Sequence, residues 1–326
     1  NFRCDVCDTI FISRLYNGYT PNCPNCHKTK SSLEDLVSGW LSSWNISHKR
    51  NDRTVLKPKE LDLYIPDQNI GIEVCGLYWH SYPKLNDKKY HLNKLYECEK
   101  KDIKLITIFE HELLAKPEIV KTQLKVLLKV QGINKHFARK CTIDFISKQE
   151  YKYFCDIHHL QGYHPSSIRI GAWTEQGSLI AVLGLSKQRR ALGTKVSTLG
   201  SYEIIRLVLG EQIVPGIFAR MFHFFIRHYD PDNVITYVDR RWFTGTNYLK
   251  TGFNIIRHTQ PNYWYFDRNN RYRVYHRYGF RKHVLKNRLS AFDESKTEIE
   301  NMLAHGYNLI FDCGNIKMEW RKNGRN

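Results

Sequence analysis

Between Glu60 and His80 the chain reads ELDLYIPDQNIGIEVCGLYWH, with apolar and polar residues alternating on both sides of PDQN. Successive side chains of a strand point to opposite faces, so this period of two specifies a hairpin. Leu61, Leu63 and Ile65 are expected on one face, with Glu60, Asp62 and Tyr64 on the other. A tight turn between Asp67 and Gln68 sets Asp62 opposite Glu73. Directly paired side chains in such a ladder lie about 5 Å apart at Cβ. Two carboxylates at that spacing repel unless a cation lies between them, and magnesium held by Asp62 and Glu73 is the expected solution.

The flanking sequence extends this hairpin into a small mixed α/β unit over residues 31–135. SSLEDLVSGWLSSW has a serine cap and places Leu33, Leu36, Val37, Trp40 and Leu41 on one helical face. A helix through KKYHLNKLYECEKKD, the apolar strand IKLITIF and a helix from Pro117 to Val130 follow. Glu34 on the first helix, His80 after the hairpin, and His91 with Lys94 on one face of the next helix are candidates for acid–base work or anion contact beside the paired acids.

Residues 1–30 carry Cys4 and Cys7 as one CxxC and Cys23 and Cys26 as a second. Four thiolates from two such turns suit a closed tetrahedral zinc site, which would replace the core that so short a ribbon cannot build. The remaining five cysteines have no disulfide-like spacing, as expected of a reducing, cytoplasmic compartment. The first residue is Asn1 rather than Met, so further residues are expected upstream. Neither a signal peptide nor an apolar run long enough to span a bilayer is seen, and no membrane partner is expected.

The third segment, residues 140–326, reads as a separate α+β domain. A hairpin turns at EQGS, an amphipathic helix starts at Pro215 and Gly216, and the strand NVITYVDRR follows. The 326 residues carry a formal charge of +18, from 50 Lys+Arg against 32 Asp+Glu. An excess this large points to a polyanion. Aromatic residues alternate with Arg268, Arg271, Arg273, Arg277, Arg281 and Lys282, a composition suited to phosphates and bases, and Arg240 and Arg241 add to it. The expected partner is double-stranded DNA, bound by a monomer, with no small-molecule substrate.

The ELD-x(10)-E pattern with GLYWH, after a helix carrying Glu34, resembles the PD-(D/E)XK nuclease superfamily. The similarity is greatest to the branch of very-short-patch repair and phage homing endonucleases. The resemblance implies a site-specific, Mg²⁺-dependent DNA endonuclease with Asp62 as central metal ligand and Glu34 as helix-borne acid. Glu73 or adjacent backbone would make a second metal contact, and His80 would move a proton. His91 and Lys94 lie where this branch carries further polar catalytic residues. Cys75 stands where that motif has lysine, so the base is His80, Lys94 or water. A repair or restriction nicking enzyme has the same chemistry. VPGIFARMFHFFIRHYDPDNVITYVDRRWFTGTNYLKTGFNII resembles the N-acetyltransferase (GNAT) fold, whose active members hold acetyl-CoA pyrophosphate on a glycine-rich turn. Here that turn is EQIVPGIF, in which Pro215 lacks an N–H. Two further alternatives follow: an acetyl-CoA-dependent acetyltransferase, or a DNA-binding protein with an inactive nuclease fold.

Overall fold

The computed structural model describes residues 1–5, 8–13, 20–21, 23, 32–188 and 200–322. It is a mixed α/β fold. Near the amino end, β1 (Phe2–Arg3) and β2 (Ile10–Phe11) pair antiparallel. Cys4 and Cys23 are buried there, while Cys7 and Cys26 lie outside the described residues.

The first α/β unit comprises α1 (Ser32–Ser43), β3 (Lys49–Asp52), β4 (Leu61–Ile65), β5 (Ile70–Cys75), α2 (Tyr82–Leu85), α3 (Tyr90–Glu99), β6 (Lys104–Phe109), α4 (Glu110–Ala115) and α5 (Pro117–Leu127). Its sheet runs β3-β4-β5-β6, with β5 and β6 parallel and the other pairs antiparallel. Leu63 pairs with Ile72 and Ile65 with Ile70, the register expected from the sequence. Asn69 closes the turn at φ 52°, a conformation that asparagine tolerates. Leu63, Ile65, Ile72 and Val74 pack with Val37, Leu41, Val120 and Leu124 of α1 and α5. The opposite face lies under α3. Leu61 departs from the expected alternation and packs on that side with Tyr64, Leu92, Leu95 and Leu105. Gly71 makes this possible, because Leu61 methyls lie 3.1 Å from the position a Cβ there would take.

The second unit comprises β7 (Thr142–Phe145), α6 (Lys148–His158), β8 (Ile168–Trp173), β9 (Leu179–Lys187), β10 (Ser201–Leu209), α7 (Ile217–Tyr229), β11 (Asn233–Asp239), α8 (Thr246–Leu249) and β12 (Asn254–His258). An excursion follows: β13 (Tyr263–Asp267), β14 (Asn270–His276), α9 (Lys282–Leu285), α10 (Glu298–Ala304) and β15 (Tyr307–Phe311). The chain then returns as β16 (Asn315–Arg321). The seven-stranded order is β12-β16-β11-β10-β9-β8-β7, and only β10 and β11 are parallel. Their ladder covers Ser201–Glu203 against Asn233–Ile235, beyond which the two strands pair no further. Helix α7 buries Ile217, Phe218, Met221, Phe222 and Phe225 on one face of the sheet. The excursion forms its own sheet, β14-β13-β15, against α9 and α10.

The second unit, read from the sequence as separate, is locked onto the first. Trp242, three residues past β11, is 1% exposed and sits in the core of the first unit. Phe266 and Ile310 of the excursion cluster with Cys75, Leu77 and Phe109. Among the described residues no helix is long and apolar enough to cross a membrane.

Candidate acid–base site

The hairpin and α3 together make a buried ionic cluster. Asp62 Oδ2 accepts the Val74 N–H at 2.7 Å, and Glu73 Oε1 accepts the Asp62 N–H at 3.3 Å. Lys94 reaches down from α3 and donates to Glu73 Oε2. Its side chain is 7% exposed and that of Glu73 3%. Burial pushes the Glu73 carboxyl up to about 8, and the neighbouring Asp62 adds to this while Lys94 opposes it. Asp62 is also raised by burial, against the Val74 N–H and Lys94. Burial alone would pull Lys94 down, but Glu73 and Asp62 more than offset it and hold it protonated. Two carboxylates facing one ammonium leave the cluster short of positive charge, so it retains a proton beyond the usual carboxylate range.

Glu34 borders the cluster from α1. Burial first and Asp62 second raise it to about 7, while Arg50, 3.9 Å away, draws it down. Arg50 also binds Asp35 at 2.5 Å. Its sequence position gave no sign of this role, since β3 meets α1 only once the sheet forms.

His80 and His91 stack at 5.4 Å with planes 21° apart. Burial lowers His80 to about 4 and takes His91 well below the ordinary imidazole value. Both are neutral at pH 7. Trp79, 70% exposed, follows the strand on the same turn. Glu110 and Glu112, absent from the sequence expectations, are buried in the first turn of α4, directly after β6. Glu110 accepts the Leu77 N–H at 2.7 Å and pairs with Arg271 at 2.7 Å. A pair of acids directly after an apolar strand was the available signal.

This geometry corrects the magnesium expectation. The cation that the Asp62–Glu73 repulsion required is the Lys94 ammonium, and both Glu73 oxygens and one of Asp62 are already engaged by protein donors. The expected DNA contacts are corrected similarly. Arg240 binds Glu99 at 3.1 Å with 2% of its side chain exposed, and Arg241 binds Glu112 at 3.0 Å and Asp239 at 2.8 Å. Arg268 donates to Asn308 and Leu303, and Lys282 to the Glu294 carbonyl. Arg273, Arg277 and Arg281 lie over Tyr275, Tyr263 and Tyr278. Cations and aromatics read as a surface for phosphates and bases are largely spent on each other.

No family model and no curated protein matches the chain. Solved structures do. The crystal structure of aminoglycoside 6'-acetyltransferase type Ii matches at 11% identity over 57% of this chain and 99% of that one, with a TM-score of 0.31. A GNAT family N-acetyltransferase from Escherichia coli in complex with CoA matches at 12% identity over 36% and 69%, TM-score 0.27. Spermidine N-acetyltransferase from Vibrio cholerae in complex with CoA and spermine matches at 12% over 37% and 84%, TM-score 0.27. The structural similarity found is therefore to N-acetyltransferases over part of the chain. The assignment to the PD-(D/E)XK nucleases is corrected on this finding. With it go the endonuclease activity, zinc and magnesium as cofactors, and DNA as partner to the exclusion of small molecules.

The residues do not fit acetyl-CoA at the turn where the resemblance would put its pyrophosphate. Pro215 has no N–H, the Ile213 N–H is taken by the Asn134 carbonyl at 3.0 Å, and the His136 N–H binds back to Ile213. Ala138 lies 3.8 Å from where a Gly216 Cβ would be. Arg220 of α7 donates to the carbonyls of Ala138 and Cys141. The chain's own segment 134–141 thus lies across the start of α7.

Proposed function

We propose that this chain is an enzyme working by general acid–base catalysis at Asp62, Glu73 and Lys94. Glu34 serves as the outer proton carrier, and His80 and His91 line the same centre. The supporting observation is the buried Lys94–Glu73–Asp62 cluster, whose charges do not balance. A proton held near neutral pH in a desolvated site is what a group exchanging protons with substrate requires. Exposed Trp79 offers a flat face for docking a polar substrate with a planar group. The division into residues 1–30, 31–135 and 140–326 accompanies this reading, with the second unit as scaffold.

Natural sites of this kind hold like charges together at a cost to stability. Asp62→Asn keeps the acceptor for Val74 and removes a charge, so it is expected to stabilise the fold by about 0.5–2 kcal/mol at pH 8. Urea denaturation measures this, and a loss of stability would make Asp62 a structural residue and sink the proposal.

Glu34 gives a second test. Its folded-state pKa of about 7 lies above its ordinary value of 4.5. The folded state therefore binds the proton more tightly, and Glu34 favours folding below about pH 4.5. That contribution falls away as pH rises to 7. Glu34→Gln should flatten the stability profile between these limits, and an unchanged slope would mean that Glu34 titrates normally.

Acyl transfer from acetyl-CoA is a second reading, favoured by one observation: β10 and β11 stop pairing after Glu203 and Ile235, leaving a gap in the sheet. Calorimetric titration with acetyl-CoA decides it. Saturable binding would support this reading, and flat heats would leave the second unit a scaffold.

A further inference from the structure

We propose that Cys75, His80 and His91 form a binding site for a late first-row divalent metal ion, with one coordination position left open. One ligand atom from each lies within 4.8 Å of the other two. Cys75 Sγ and His91 Nδ1 are 3.8 Å apart. In a tetrahedral site with metal–sulfur distances near 2.3 Å and metal–nitrogen near 2.0 Å, ligand atoms are about 3.3–3.6 Å apart. Side-chain rotations of about an ångström complete the closure. The backbone carrying the three residues is ordered by regular structure: Cys75 ends β5, His91 is the second residue of α3, and the His80 N–H is tied to the Gly76 carbonyl at 3.0 Å.

The donor set selects the metal. A thiolate with two imidazoles suits zinc, cobalt or iron and is a poor match for magnesium or calcium. The site is therefore distinct in both chemistry and ligands from the magnesium position withdrawn above. A second observation points the same way: His91 Nε2 and His80 Nδ1 are buried with no hydrogen-bond partner among the described residues. Buried polar atoms are seldom left so, and an ion bound at His80 Nδ1 would use a lone pair that the fold leaves idle, while His91 would bind through the Nδ1 that faces Cys75 Sγ. Lys94 and Arg241 oppose a cation here, whereas Glu73 and Asp62 favour one. On binding, the Cys75 thiol gives up its proton to solvent and its sulfur forms the bond to the metal, while both imidazoles enter neutral.

Three protein ligands and a free fourth position are the pattern of metals that bind a water or substrate, rather than of purely structural ones. The inference does not require the acid–base proposal, because metal binding is measured without turnover.

The test is a Co²⁺ titration of the full chain at pH 7, following the thiolate-to-cobalt absorption and the ligand-field bands. Cobalt taken up by any other cysteine adds to the signal, so the readout is a difference between variants. Wild type should bind one more equivalent than Cys75→Ser, and His80→Ala should weaken that equivalent at least about tenfold. Equal stoichiometry and equal spectra in wild type and a folded Cys75→Ser protein would overturn the site. Should Cys75→Ser not fold, the half-buried His80 decides, and an unchanged cobalt affinity in His80→Ala overturns it equally.

Discussion

Replacing Lys94 with methionine is expected to lower stability by about 3–5 kcal/mol near pH 8, since removing one partner of a buried ion pair strands the other. Lys94 donates to Glu73, and it is the cation closest to both acids of the hairpin. Without it, Asp62 and Glu73 face each other in the interior and can only protonate. The loss should therefore shrink towards pH 5, where protonation is easier. The double variant Lys94→Met/Glu73→Gln should recover most of the lost stability, because it removes the stranded charge. Urea denaturation of the four proteins of this cycle at both pH values measures the coupling. A single variant as stable as wild type at pH 8 would mean that Lys94 is solvated rather than part of the cluster.

Trp242→Ala should cost about 3–5 kcal/mol and split one thermal transition into two. The side chain is fully buried among Val37, Leu63, Ile108, Leu113 and Leu128, yet it is carried by the loop after β11 of the other sheet. Its neighbours form a clamp: Thr107 N–H donates to the Arg241 carbonyl at 3.1 Å, Arg241 pairs with Glu112, and Arg240 stacks on Tyr96 at 4.8 Å. Removing the indole leaves a cavity beneath these ion pairs and weakens the main apolar tie between the units. Differential scanning calorimetry would show the split. A single transition lowered in temperature would mean that the ion pairs and the Phe266–Ile310 cluster suffice to hold the units together.

What the sequence disclosed followed from local periodicity. The alternation in ELDLYIPDQNIGIEVC set the register that brings Asp62 beside Glu73, and the three-residue spacing of His91 and Lys94 set both on one side of α3. What stayed hidden depended on contacts between distant residues. Lys94 meets Glu73 only when α3 settles on the sheet, so the charge between the acids was read as a metal ion. Arg240 and Arg241 looked like surface cations because their partners Glu99 and Glu112 lie more than a hundred residues away. Ala138 and Cys141 meet Arg220 of α7 across gaps of 82 and 79 residues, and no local pattern encodes that. The excursion of residues 259–314 was legible only as basic and aromatic, since Arg273, Arg277 and Arg281 lie over its own tyrosines and Arg271 reaches the distant Glu110.

The placement of β16 has a consequence during synthesis. This strand lies between β12 and β11, so the seven-stranded order is complete only when residues 315–321 have left the ribosome. About eighty residues separate β11 from the end of β16, which at about 5–20 residues per second leaves the β11 edge open for some 4–16 s. For that interval Val234, Ile235 and Val238 belong to an unfinished sheet whose free edge invites pairing with another nascent chain. Slow translation through this stretch, or a shortage of chaperones, should therefore lower the yield of soluble protein more than a comparable delay earlier in the chain.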